Sequence, residues 1–193
     1  MASPLASGLA AALLLAAPGA ALAEDVRVTK QVEADRTTTM VHMITVDAAP
    51  AEVWTAISTA EGWMTWAVPV AWVAKDDPDL IETAYDPASH PGAADTIQQR
   101  FTERVPGRSL AFRTVKAPAG FPHWETYRNV TSLFEIEPAG KRTRVRLTSR
   151  GYPDTADGRA LLGFFEGGNR MTLENLRARF ATGPVDWAAR LRR

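Results

Sequence analysis

The sequence contains no cysteine, and this absence excludes several kinds of structure and chemistry. Without cysteine there is no disulfide, so an exported domain of this sequence has to be stabilised by its core alone. Thiol catalysis and cysteine-based metal sites are excluded for the same reason.

A basic surplus and the common catalytic motifs are also absent. Lys and Arg number 22 and balance 22 Asp and Glu, whereas a nucleic-acid-binding face needs an excess of positive charge. The three histidines show no HxxEH or HxH spacing, and no GxSxG motif is present. We therefore predict no nucleic-acid partner, no metal, no tightly held cofactor and no serine-hydrolase site.

The first 23 residues, MASPLASGLAAALLLAAPGAALA, carry no charged side chain. Their run Leu9–Ala17 has the length of a signal-peptide core, and Ala21–Ala23 forms an A-x-A cleavage site. The run is too short to span a bilayer, so we expect no stable membrane anchor. We predict a signal peptide over residues 1–23, a periplasmic or secreted location, and a single domain over residues 24–193. The alternative is a disordered, alanine-rich tail.

A strand followed by two short helices is predicted by the stretch ITVDAAPAEVWTAISTAEGWMTW. Residues Thr38–Asp47 alternate as in a strand, and Pro50 suits the first turn of a helix, where its missing N–H costs nothing. Thr59 can cap the second helix, which places Trp63 and Trp66 on one side.

Two β-hairpins are predicted further along the chain. Thr96–Val105 and Arg108–Val115 are joined by the turn pair Pro106-Gly107. Pairing that is symmetric about this turn places Phe101 opposite Phe112 and Gln99 opposite Thr114 on the same face.

The second hairpin joins Tyr127–Pro138 to Lys141–Arg150, and its strands alternate between charged and apolar residues. Pairing that is symmetric about Pro138-Ala139-Gly140-Lys141 gives three specific cross-strand pairs. These pairs are Phe134 with Val145, Glu135 with Arg144, and Glu137 with Arg142.

A long final helix is predicted from a cap at Asp157 to about Ala181, with Gly183-Pro184 ending it. Gly167-Gly168 lies inside this helix, where each glycine costs roughly 1 kcal/mol against alanine. We expect these glycines to relieve packing against the sheet, with room for a ligand as the alternative. The elements together predict an α+β fold in which a curved antiparallel sheet wraps around the last helix.

This order of elements resembles the START/birch-pollen-allergen-like superfamily, SRPBCC, which has the helix-grip fold. Within it the chain is similar to the AHSA branch. The resemblance is carried by VDAAPAEVWTAIST, by the Trp63–Trp66 pair, by the hairpin FEIEPAGKRTRVRLTSRGY and by the last helix, and it covers residues 40–182. It implies one of three roles: a carrier of lipids or aromatic ligands, a polyketide cyclase, or a chaperone cofactor. The predicted signal peptide argues against the chaperone role, which needs a cytosolic partner.

The resemblance implies a cavity between the sheet and the last helix that binds a small hydrophobic or aromatic molecule. The residues that we expect to line it are Trp63, Trp66, Gln99, Phe101, Phe112, Thr114, Trp124, Tyr127, Phe134, Phe164 and Phe165. Gln99 and Thr114 are the predicted polar contacts, because buried polar groups need partners. The same aromatic residues could instead fill a solid core.

Two other functions stay open at this point. The first is a cyclase- or hydratase-like enzyme in which His123 works as acid or base with Glu125 or Glu166. The second is a protein-interaction module with a filled core and an exposed apolar patch.

Overall fold

The structure is a computed structural model that describes residues 25–192, so the predicted signal peptide lies outside the described residues. In the described part of the chain, eight strands form one sheet and a 27-residue helix packs across it. The elements are, in chain order, β1 (Arg27–Val32), β2 (Thr38–Val46), α1 (Pro50–Ser58), α2 (Ala60–Met64), β3 (Val70–Ala74), β4 (Asp77–Ala84), β5 (Ile97–Val105), β6 (Ser109–Lys116), α3 (Trp124–Tyr127), β7 (Thr131–Ala139), β8 (Arg142–Tyr152), α4 (Ala156–Thr182) and α5 (Trp187–Arg190).

The sheet is antiparallel throughout, with the strand order β1-β2-β8-β7-β6-β5-β4-β3. Helix α4 packs on β2 and β8, and α1 and α2 cover the sheet beside it. The predicted α+β helix-grip class is confirmed. The edge strands β1 and β3 were not predicted, so the two short helices follow the second strand and not the first. Strand β1 is mostly exposed and lacks the alternation of buried and exposed residues that indicates a strand.

Both predicted pairs of the first hairpin are confirmed, although next to the turn the pairing is shifted by one residue, with Val105 opposite Ser109. Phe101 pairs with Phe112 and Gln99 pairs with Thr114, with irregularities in the pairing on either side. The strands meet at Gly107, whose φ of 72° is a conformation that glycine adopts without strain.

The predicted register of the second hairpin is wrong by two residues. Phe134 pairs with Leu147, Glu135 with Arg146, and Glu137 with Arg144. The central residues of the turn are Gly140 and Lys141, one position later than predicted, and the φ of 68° at Gly140 suits a two-residue turn of the primed type. A shift of two residues leaves each side chain on its predicted face, because the side-chain period of a strand is two. The strand also begins at Thr131, since Tyr127 belongs to α3.

Two predictions about α4 are wrong in detail. The N-cap is Thr155 and not Asp157, because the Thr155 hydroxyl accepts a hydrogen bond from the backbone N–H of Gly158 at 3.1 Å. A Cβ atom added to Gly167 or Gly168 would meet no heavy atom within 4 Å outside the helix itself, so close packing against the sheet does not explain these glycines.

The corner between α1 and α2 is held by two tryptophan side chains. The indole N–H of Trp63 donates to the carbonyl of Ile57 at 2.7 Å, and that of Trp66 donates to the carbonyl of Ala56 at 2.8 Å. The last carbonyls of a helix have no partner within the helix, so these indoles satisfy groups that would otherwise be buried without one.

Gly62 allows this close contact between the two helices. A Cβ atom at this position would lie 2.3 Å from the carbonyl oxygen of Thr55, which is far inside van der Waals contact. The two indole rings are almost completely buried and face the sheet. Their hydrogen bonds therefore fix the position of an aromatic wall as well as the helix corner.

Replacing Trp66 by Phe tests this corner. The Trp66→Phe variant leaves the buried carbonyl of Ala56 without a donor, and we expect the free energy of unfolding to fall by about 1–3 kcal/mol. Urea unfolding followed by circular dichroism measures this change. The matched control is Trp72→Phe on β3, whose indole N–H makes no hydrogen bond to a helix end within residues 25–192, and a loss of equal size in both variants would contradict the capping role.

Candidate ligand-binding cavity

A cavity of about 250 Å³ lies between the inner face of the sheet and α4. Side chains from α2, β4 to β8, α3 and α4 surround it, together with the segment between β6 and α3. Nine of the eleven residues predicted from the sequence line this cavity. They are Trp63, Trp66, Gln99, Phe112, Thr114, Tyr127, Phe134, Phe164 and Phe165.

The other two predicted residues lie behind the wall. Phe101 packs edge-on against Trp63 with ring centroids 6.2 Å apart, and the Arg104 guanidinium covers its other side. Trp124 packs against Tyr127 at 6.3 Å, with the Arg128 guanidinium 6.0 Å from its ring. Both support rings of the wall and do not line the cavity themselves.

The sheet presents two rows of side chains to the cavity region, which cross strands β5 to β8 and shift by one residue pair between β6 and β7, where Phe112 pairs with Ser132. Side chains two residues apart in a strand share a face, so each strand contributes one residue to each row. The apolar row consists of Phe101, Phe112, Phe134 and Leu147. The polar row consists of Gln99, Thr114, Ser132 and Ser149.

The polar row separates two groups of buried apolar side chains, which we call the inner and the outer cluster. The inner cluster contains Trp63, Trp66, Phe101, Phe134, Leu147, Leu173 and Leu176, among others. The outer cluster consists of Met40, Val130, Tyr152 and Leu161, with Phe121, Tyr127 and Phe165 packed against it. On β7, Ser132 stands between Val130 of the outer cluster and Phe134 of the inner one. The cavity borders both clusters, so a guest in it would contact aromatic rings on two sides.

Two of the four side chains in the polar row have a hydrogen-bond partner in the described part of the chain. Thr114 donates its hydroxyl proton to the Tyr127 hydroxyl oxygen at 3.1 Å, and the Asn169 amide of α4 donates to the Ser149 hydroxyl at 3.2 Å. The Oε1 atom of Gln99 is buried and has no hydrogen-bond partner among residues 25–192. Gln99 is therefore the member of the polar row that presents an unpaired acceptor.

The cavity interior is electrically neutral. Among the described residues, no side chain that lines it belongs to Asp, Glu, Lys, Arg or His. Burial raises the pKa of Tyr127 and of Tyr152, so both phenols keep their protons at neutral pH. An uncharged guest suits these surroundings, because an ion would lose its hydration without gaining a counter-charge.

A buried carboxylate on the opposite face of the sheet holds the rim of the cavity. Glu82 accepts hydrogen bonds from the backbone N–H of Gly92 and from the Thr96 hydroxyl. Burial acts to raise the pKa of Glu82, but these hydrogen bonds outweigh it and keep the pKa below its ordinary value. The carboxylate thus stays ionised and ties the loop after β4 to the sheet.

That loop in turn supports the segment at the cavity mouth. The Lys116 ammonium donates to the Ala93 carbonyl at 2.6 Å, and the backbone N–H of Ala119 donates to the Ala94 carbonyl at 3.1 Å. Pro118 and Phe121 of this segment line the cavity. The sequence pattern did not identify Glu82, and a single acidic residue within the apolar stretch LIETAY is its only signal.

The predicted catalytic candidates His123, Glu125 and Glu166 do not line the cavity. The expected pairing of His123 with Glu125 or Glu166 is wrong: its Nδ1 atom lies 3.0 Å from the carboxylate of Asp157.

Each of the two glutamates forms an ion pair with a different basic side chain. Glu125 contacts Arg128 at 3.4 Å, and Glu166 contacts Lys30 at 2.5 Å. The hydrogen bond from Lys30 lowers the pKa of Glu166, so this carboxylate is ionised at neutral pH and is poorly suited to donate a proton.

Neither a metal cluster nor a membrane span is found in the described part of the chain. Residues 25–192 contain no group of three or more His, Asp or Glu side chains arranged to hold a metal ion. Over the same residues, no helix combines the length and the apolar character needed to cross a bilayer.

Comparison with known proteins identifies the family. Residues 30–181 match the sequence profile described as polyketide cyclase / dehydrase and lipid transport. The chain belongs to this family. This confirms the resemblance to the SRPBCC superfamily and its AHSA-like branch. The comparison with curated proteins finds no match.

Solved structures show the same fold at low sequence identity. The Aha1 dimer from Colwellia psychrerythraea is 18% identical with a TM-score of 0.57, and the match covers 75% of this chain and 97% of that one. XoxI from Bacillus cereus is 17% identical with a TM-score of 0.56, covering 75% and 96%. CalU16 from Micromonospora echinospora is 16% identical with a TM-score of 0.54, covering 86% and 89%. At these identities the likeness establishes the fold alone.

A buried histidine lies at the same boundary as the polar row. His42 of β2 stands between Met40 of the outer cluster and Ile44 of the inner one, and its side chain is fully buried. Its Nε2 atom lies 3.0 Å from the carbonyl oxygen of Glu166, and its Nδ1 atom has no partner in the described part of the chain. Burial lowers the pKa of His42, so the folded protein holds the ring neutral.

This histidine predicts a loss of stability in acid. The unfolded chain binds a proton at His42 near pH 6.5. The folded chain binds it only at lower pH, so stability should fall as the pH drops from about 6.5 through the folded pKa. Urea unfolding at pH 7.5 and 5.0 measures the loss, which should be smaller in His42→Leu. The control is His90→Leu at an exposed position, and an equal acid loss in His42→Leu and wild type would contradict the assignment.

Proposed function

We propose that this protein binds one small, uncharged and largely apolar molecule in the cavity between the sheet and α4, and that it carries this molecule without converting it. The observation that supports the proposal most strongly is a neutral cavity bordered by aromatic rings from two separate clusters. Pockets with apolar walls and a few polar groups are typical of small-molecule sites. The family description, which includes lipid transport, agrees with this reading.

The size of the cavity limits the guest. An apolar cavity of about 150 Å³ is large enough to bind benzene, and pockets for drug-sized ligands occupy about 300–1,000 Å³. A cavity of about 250 Å³ therefore suits one ring with substituents, two fused rings, or a short aliphatic chain. A long-chain lipid would not fit without a rearrangement of the wall.

The lining supports binding over catalysis. General acid–base catalysis needs a proton donor or acceptor within hydrogen-bond reach of the substrate. In the described part of the chain the cavity wall offers no carboxylate or imidazole, and its three phenols, those of Tyr85, Tyr127 and Tyr152, have raised pKa values. The cavity likewise supports ligand binding over an interaction module with a filled core.

We further propose that the protein does this after export. The supporting pattern is the uncharged first 23 residues with their Leu/Ala run and the A-x-A site before Glu24. Export also agrees with the lack of cysteine, since a core without thiols is indifferent to an oxidising compartment.

A substitution that fills the cavity tests the binding function. Ser132→Leu places a larger apolar side chain in the cavity, so we expect naphthalene, a neutral two-ring probe, to bind at least about tenfold more weakly than to wild type. Titration calorimetry measures the affinity. The matched control is Thr131→Leu, the neighbouring and exposed position on the other face of β7. Equal naphthalene affinity in Ser132→Leu and wild type, or no binding by wild type, would remove the cavity from this role.

Cell fractionation tests the export proposal. The full-length chain, produced in a Gram-negative host, should appear in the periplasmic fraction or the medium with Glu24 as its first residue, as intact-protein mass spectrometry can show. An Ala23→Arg variant disrupts the small-residue cleavage site and should keep the uncleaved mass. A full-length product that remains in the cytoplasm in both cases would contradict export.

A further inference from the structure

The Oε1 atom of Gln99 indicates which functional group the guest carries. Gln99 lies on β5 directly opposite Thr114, at the β5 end of the polar row. Its Oε1 atom is buried and has no donor within residues 25–192, although the amide belongs to the cavity wall. A buried carbonyl oxygen without a donor destabilises the folded chain, so such atoms are rare in proteins.

No donor among residues 25–192 lies within hydrogen-bond distance of Oε1, and the neighbours of Gln99 form hydrogen bonds elsewhere. Thr114 gives its only hydroxyl proton to Tyr127, and the Asn169 amide is bonded to Ser149. The nearest ammonium group in sequence, that of Lys116, is bonded to Ala93 and Thr96 on the opposite face of the sheet. A donor for Oε1 can therefore enter with whatever fills the cavity.

We infer that the guest carries an uncharged hydroxyl group, which donates its proton to Oε1 of Gln99 while its apolar body lies against Phe112 and Phe134. A hydroxyl also offers an acceptor, and the phenol proton of Tyr127 is available to it because the Tyr127 oxygen already accepts from Thr114. The ligand class is thus a small neutral alcohol or phenol. This inference rests on the proposed function and makes it more specific.

A carboxylate in the same position is disfavoured by the same geometry. It would place negative charge against the carbonyl oxygen of Gln99, and no cationic side chain among the described lining residues could compensate it. Burying an ion without a partner is far more costly than burying a hydroxyl that is hydrogen-bonded. The site should therefore discriminate between an aromatic alcohol and the corresponding acid.

Three matched probes test the inference: 1-naphthol, 1-methylnaphthalene and 1-naphthoate. They share the ring system and differ in the group offered to Gln99. Titration calorimetry at pH 7.5 gives the affinity of wild type and of Gln99→Met, in which a side chain of similar length lacks the acceptor. The readout is the ratio of the naphthol affinity to the methylnaphthalene affinity, because the different hydration of the two probes cancels when this ratio is compared between proteins.

We expect the ratio to be about tenfold higher in wild type than in Gln99→Met, the effect of one buried hydrogen bond. Gln31→Met, at an exposed position on β1, should keep the wild-type ratio. Binding of 1-naphthoate to wild type should be the weakest of the three.

An unchanged ratio in Gln99→Met, or naphthoate binding as tight as naphthol binding, would overturn the inference while leaving the cavity as a ligand site. Absence of binding by all three probes to wild type would instead overturn the proposed function itself. Circular dichroism and the melting temperature show whether Gln99→Met is folded, and Gln99→Leu replaces it in the same comparison if it is not.

Discussion

The hydrogen bonds from the indoles of Trp63 and Trp66 to the last carbonyls of α1 are the constraint on which the cavity depends. They stop α1, turn the chain sharply into α2 and hold two large rings over the middle of the sheet. Here Trp63 packs edge-on against Phe112 and Trp66 against Phe134, with ring centroids 6.2 and 6.5 Å apart, whereas rings that were free to move could fill the space beneath α4. Because the N–H of each indole is hydrogen-bonded to a backbone oxygen, the ring is held in a fixed position and forms part of the cavity wall. The same two residues thus serve folding and the candidate site together.

The second constraint is the polar row, which keeps the inner and outer clusters from merging into one core. A row of Leu or Phe at these positions would pack against α4 and close the space, whereas small polar side chains leave it open. The bonds from Asn169 to Ser149 and from Thr114 to Tyr127 satisfy two of these polar groups, and Oε1 of Gln99 has no donor among residues 25–192. The cavity therefore results from the small polar side chains in the middle of the sheet. It does not result from imperfect packing at its edge.

The sequence pattern predicts the fold class, two cross-strand pairs of the first hairpin and most of the cavity wall, because these follow from side-chain period and turn residues. It fails where the information is not local. The register of the β7–β8 hairpin depends on the conformation of Gly140 and not on the charge pairs, which match equally well after a shift of two residues. Glu82 and His42 could not be recognised, since their burial comes from a distant loop and from α4. The indole bonds of Trp63 and Trp66 are equally invisible, because periodicity places a ring on a face but does not show what its N–H contacts.

The most direct measurement is a crystal structure of the protein under xenon pressure, since xenon enters apolar cavities that are large enough and leaves packed cores empty. The account predicts a xenon site beneath α4, in contact with the rings of Phe112, Phe134 and Phe165, and an unchanged position of the Trp63 and Trp66 indoles. It would be contradicted by a structure in which Phe165 packs directly against Phe112 and Phe134, the space beneath α4 is closed and no xenon is bound there.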